Sequence, residues 1–110
     1  MTILMMKAFG DFDARYDINI AVGDNARVSA ICEVLNGYCK ELPGCEQDVR
    51  LSAYLANIQC VNELVGRLTT NALFSEYQAK KFVEKLATIC VNHWVYVYSN
   101  TFTVEEVPQI

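Results

Sequence analysis

The sequence predicts an α+β fold. Three consecutive helices, at 26–42, 48–68 and 75–94, join a small antiparallel sheet built from strands near the two ends of the chain. Through the middle of the chain, apolar residues recur at roughly the 100° per residue of a helix. Near both ends they alternate with polar ones, the period of a half-buried strand. A further observation bounds the answer. The 110 residues, 53% hydrophobic and 20% charged, make one domain over 1–110 with a core of its own, not a disordered chain. The alternative is an all-α bundle with irregular ends.

Residues 2–9 form a short apolar run, broken by Gly10 with Asp11 and Asp13. Tyr16, Ile18, Ile20 and Val22 then alternate with Asp17, Asn19 and Ala21, which predicts a strand able to pair with 2–9 in an antiparallel hairpin. Gly23-Asp24-Asn25 stops it, and Asp24 or Asn25 suits the N-cap of the first helix. There Val28, Ile31, Cys32, Leu35, Cys39 and Leu42 share one stripe, and Pro43-Gly44 ends the element.

The stretch 48–68 reads as a single helix with two apolar faces. Leu51, Tyr54, Leu55, Ile58, Val61, Val65 and Leu68 form one stripe, and Val49, Ala53, Cys60 and Leu64 a second. That phase puts Ile58 in mid-stripe and Gln59 on a polar seam. A helix apolar on two faces has to be covered twice, so the rest of the chain is expected to pack around it. Gly66 and Thr69-Thr70-Asn71 mark its end.

Ser75 and Gln78 fit a capping box at the start of the third helix. Its inner stripe takes Ala79, Phe82, Val83, Leu86, Ile89, Cys90, His93 and Val97, and the period changes near Trp94. Val95-Tyr96-Val97-Tyr98 and Thr101-Phe102-Thr103-Val104 flank Ser99-Asn100, a spacing that suits a hairpin, or else one strand and a tail. Glu105, Glu106 and Pro108 finish an exposed end.

The net charge of −4 lies entirely in residues 1–48, which hold four cations and eight anions, against five and five in 49–110. Nucleic-acid binders carry a basic surplus, so a nucleic-acid partner is not expected. No run has the length and flanks of a signal peptide, and the long helix is too polar for a membrane. The five cysteines, at 32, 39, 45, 60 and 90, have no CxxC spacing and suit free thiols in a cytoplasmic protein. Cys32, Cys39 and Cys90 are expected to be buried, and Cys45, in the Pro-Gly loop, to be the most accessible.

Candidate chemistry is thin. His93, the only histidine, falls in an apolar stripe, where a satisfied structural histidine is commoner than a general base. Cys45 precedes a helix whose dipole would favour a thiolate, and a Cys45–His93 pair would supply nucleophile and base, but nothing in the sequence joins them. No two cysteines are spaced as zinc ligands. Asp11, Asp13 and Asp17 start like a calcium loop, yet Arg15, Tyr16 and Val22 occupy its required later places. No Gly-rich phosphate loop is present. Lys80, Lys81 and Lys85, interrupted by Glu84, read as a solvated helix face. No cofactor, metal or catalytic residue is assigned.

The expectation is a small non-enzymatic intracellular protein-binding module of inhibitor, immunity or adaptor type, a class that includes the small inhibitors of host defence carried by mobile elements. Its binding residues would be Trp94, Tyr96, Tyr98 and Phe102 near the C-terminus and the acidic Asp11, Asp13 and Asp17, facing a partner with a basic surface. Two other classes stand beside it: a small thiol enzyme using Cys45 and His93, and a homodimer enclosing an apolar ligand. Val34, Tyr38 and Val91, with Trp94, Tyr96 and Tyr98, would form an exposed apolar patch, and a homodimer is one way to cover it.

Overall fold

The computed structural model describes residues 2–7, 15–17, 25–72 and 74–106, with backbone alone for 15–17 and 25. In order it contains β1 (Thr2–Lys7), β2 (Arg15–Asp17), α1 (Asn25–Glu41), α2 (Leu51–Leu55), α3 (Ile58–Asn71), α4 (Glu76–Asn92) and β3 (Phe102–Glu106). The α+β expectation holds. The sheet has the order β2-β1-β3 and is antiparallel throughout, with Met6 opposite Tyr16 on one side and Phe102 on the other. The chain's two ends thus meet at β1. The remainder of the predicted strand over 16–22, the Gly10 break and Asp24 lie outside the described residues.

Period-two burial is visible on β1, where Leu4 and Met6 are buried and their neighbours half-exposed. α1 packs on β1 and β3. Its predicted stripe is buried in full, from Val28 to Leu42, and Tyr38 is buried with it. Tyr38 therefore leaves the expected surface patch. Its hydroxyl donates to the Cys60 carbonyl at 3.2 Å, and the Arg67 guanidinium lies 5.2 Å from its ring. Arg67 also pairs with Glu41 and Glu63, tying α1 to α3.

The helix predicted over 48–68 is two helices. Residues 43–48 form turns in which Glu46 and Asp48 take left-handed φ values of 65° and 56°. α2 ends at Leu55, Asn57 is extended, and its side chain accepts from the amides of Gln59 and Cys60 to cap α3. The break resets the helical phase. Ile58, placed in mid-stripe by a continuous helix, is 69% exposed, and Ala53 is exposed too. α3 then has one buried face, Leu64, Val65 and Leu68, half-covered further by Cys60 and Val61. The two-faced helix was a product of drawing one axis through two. α3 also runs through the turn expected at 69–71, with the Thr69 hydroxyl donating to the Val65 carbonyl at 2.8 Å.

Gly44 is demanded by close approach. A Cβ there would lie 2.6 Å from Val49 Cγ2 and 2.7 Å from Tyr54 Oη, and the Gly44 amide donates to that same Tyr54 oxygen at 2.9 Å. The Ser75–Gln78 capping box is present in both directions and starts α4. α4 buries Ala79, Phe82, Val83, Leu86 and Cys90.

The expected C-terminal hairpin does not form. The run 95–97 pairs with the segment before α2 instead: Leu51 N–H donates to Val95 O, and Val97 N–H to Val49 O, both at 2.8 Å. The run from 102 onward pairs with β1. Between them the buried Thr101 hydroxyl accepts from Tyr98 N–H at 2.8 Å and lies 3.0 and 2.9 Å from the Tyr96 and Tyr98 carbonyls. Asn36 extends the ladder from α1. Its side chain donates to Phe102 O at 2.8 Å and accepts from Phe102 N–H at 2.9 Å, as a neighbouring strand would.

Candidate functional site

The segment after α4 alternates strictly. Val95 and Val97 are buried, while Trp94, Tyr96 and Tyr98 lie on the other side. In extended chain, residues two apart share a face, so the three aromatic rings form one ridge. Trp94 meets Tyr96 edge-to-face at 6.4 Å, and Tyr96 meets Tyr98 at 6.2 Å. Trp94 is 56% exposed, and Val91, on the last turn of α4, is 67% exposed.

The ridge is held at both ends. Arg50 lies 4.2 Å from the Trp94 ring and donates to the carbonyls of Cys90 and His93 at 3.4 Å. It thereby closes the C-terminus of α4, where carbonyls lack helical partners and a cation is favoured. At the other end the Tyr98 hydroxyl donates to the Asp48 carboxylate. That bond, with some burial, pushes the Tyr98 phenol up to about 12. Glu46 accepts from Ser99 N–H at 2.8 Å, which holds its carboxyl below the usual range. The aromatic ridge thus ends beside two carboxylates.

The other expected site residues fare differently. Phe102 is in the core, so it is not part of this surface. Val34 is half-buried against the core. Asp11 and Asp13 lie outside the described residues, as does the Asp17 side chain; the Asp17 backbone pairs with Met5 in the sheet. His93 is not in a helical stripe. α4 stops at Asn92, and His93 is its half-buried C-cap, donating its N–H to Ile89 O.

Cys32, Cys39 and Cys90 are buried as expected, and burial pushes the Cys39 and Cys90 thiols up to about 12. Cys45 is half-exposed, as is Cys60. Cys45 does not sit at a helix start, since the turn 43–48 separates it from α2. Its thiol is raised, by desolvation first and then by Glu46, which accepts from Sγ at 3.8 Å. That is the reverse of the activation the sequence position implied. Among the described residues, no group of three or more His, Cys, Asp or Glu side chains is placed to hold a metal.

Sequence reasoning found Trp94, Tyr96, Tyr98 and Val91 but missed Arg50 and Asp48, which fall within the helix predicted over 48–68, and Glu46, which precedes it. No local pattern marks Arg50, because both its partners lie some forty residues away. Comparison with protein-family models, with curated proteins and with solved structures returns no match.

Proposed function

We propose that the protein is a small non-enzymatic binding module, of inhibitor, immunity or adaptor type, whose working surface is the ridge of Val91, Trp94, Tyr96 and Tyr98. The observation that supports this is the half-exposed tryptophan fixed in place by Arg50 and Tyr96. Pre-ordered aromatic side chains lose little entropy on binding and dominate the energy of protein interfaces. The fitting partner is a protein with an apolar hollow beside basic side chains. The hollow takes Trp94, and the basic groups meet Glu46 and Asp48. The acidic balance of residues 1–48 adds long-range attraction for such a partner. No helix among the described residues is long and apolar enough to cross a membrane.

A second copy of the chain is the other way to cover Val91 and Trp94, and one experiment separates the two. Tagged wild-type protein and the Trp94→Ala and Tyr96→Glu variants are compared in affinity capture, with light scattering of each at several concentrations. A monomer whose captured partner is lost in both variants supports the reading. A wild-type dimer that Trp94→Ala dissociates would assign the ridge to self-association. Unchanged capture in both variants would place the binding surface elsewhere.

A further inference from the structure

A second feature begins at the first turn of α4. A groove of about 530 Å³ is lined by Arg27, Phe74, Tyr77, Lys81, Glu84 and Lys85, among others. Its volume is within the roughly 300–1,000 Å³ typical of small-molecule sites. Tyr77, Lys81 and Lys85 follow one another at i, i+4 and i+8, so one face of α4 presents all three. The sequence alone gives three lysines, Lys80, Lys81 and Lys85, on a solvated helix face. The fold adds Arg27 from the first turn of α1 and an aromatic floor, Phe74 against Phe82 at 5.5 Å, with the Arg27 guanidinium 4.4 Å from the Phe74 ring. Tyr77 is 70% exposed, and Lys81 Nζ lies 5.7 Å from its ring.

Charge makes the groove distinctive. Three cations, Arg27, Lys81 and Lys85, face one acid, Glu84, in a chain of net charge −4. The Lys81–Glu84 contact is 3.8 Å long between exposed groups, and a ligand displaces such a pair at little cost. Lys85 has no ion pair among the described residues. By contrast, Arg67 is paired with both Glu41 and Glu63, and Lys80 with Glu76 at 3.2 Å.

We infer that this groove binds a planar aromatic anion of the size of a mononucleotide. The exposed Tyr77 ring offers a stacking surface for the flat ring, and Lys81 and Lys85 neutralise the phosphate. An extended single strand is the poorer occupant. It needs a continuing basic track, and the positive cluster here is confined to one groove on an acidic protein.

The test is an amide-resolved NMR titration of the full chain with adenosine 5′-monophosphate. Adenosine, inorganic phosphate and a short single-stranded oligonucleotide form separate arms. The expected result is saturable shifts confined to Arg27 and 74–88, with adenosine and phosphate each binding at least about tenfold more weakly than the nucleotide that joins them. Tyr77→Ala and Lys85→Glu, both at exposed positions, each weaken the nucleotide by about tenfold or more, whereas Lys40→Glu, an equal charge change outside the groove, leaves it alone. Four results overturn the inference: no saturation in the millimolar range, phosphate binding as tightly as the nucleotide (an adventitious anion only), tighter binding per nucleotide of the oligonucleotide, or affinity indifferent to Tyr77 and Lys85.

Discussion

Asn36→Leu isolates the joint between the helical layer and the sheet. The wild-type amide serves both backbone groups of Phe102, donating to its carbonyl at 2.8 Å and accepting from its N–H at 2.9 Å. Leucine is close in volume but leaves both groups unpartnered in a half-buried site. Each costs about 1–3 kcal/mol when fully buried, so a half-covered pair costs about 1–3 kcal/mol in total. That is a large share of the roughly 5–15 kcal/mol by which a domain is stable. Asn36→Asp is the informative companion: the acceptor for Phe102 N–H survives, but the donor is lost and a carboxylate faces the Phe102 carbonyl. Both variants should lower the urea midpoint with little change in slope. Hydrogen exchange should show the Phe102 amide speeding up beyond the global loss in Asn36→Leu and staying protected longer in Asn36→Asp. A midpoint for Asn36→Leu equal to that of Asn62→Leu, a change at an exposed α3 position, would refute the reasoning.

Further expectations follow from the same structure. Ile58→Asp should be tolerated within about 0.5 kcal/mol because Ile58 is largely exposed, whereas Leu68→Asp buries an unpaired charge and should unfold the domain; matching thermal melts for the two would restore the single long helix. Native alkylation resolved by mass should modify Cys45 and Cys60 ahead of Cys32, Cys39 and Cys90, and Glu46→Gln should quicken Cys45 near neutral pH by removing the neighbouring charge that raises its thiol. Stability should fall as pH rises from about 9 towards 12. Cys39 and Cys90 are raised from 9.0 to about 12 in the fold, so the unfolded chain loses those protons first; Cys39→Val should flatten the decline in urea midpoint over that window.

The pattern of residues by itself determined the α+β class, the buried stripe of α1, the Ser75 capping box, the end of α4 near Trp94 and the burial of three thiols. Each depends on local periodicity or on partners within one turn of helix, and such signals survive without knowledge of the rest of the chain. The aromatic ridge was legible for the same reason: alternation from Trp94 to Tyr98 puts the rings on one side whatever the strand pairs with. What the tertiary structure decided is everything that depended on distant partners. Asn57 can sit inside a helix or cap a new one, and only the packing of α2 on α4 and of α3 on both α1 and α4 selected the cap and turned Ile58 outward. Ser99-Asn100 could have closed a hairpin, but the backbone of 95–97 bonds to 46–51 and that of Phe102 to β1 and Asn36, so the two runs part. Arg50 became the clamp of Trp94, and Arg27 joined Lys81 and Lys85, through contacts that span some forty to fifty-eight residues of chain. Periodicity reports which side of an element is apolar. It carries no information on which polar side chain from elsewhere will arrive beside it, and both candidate sites depend on such arrivals.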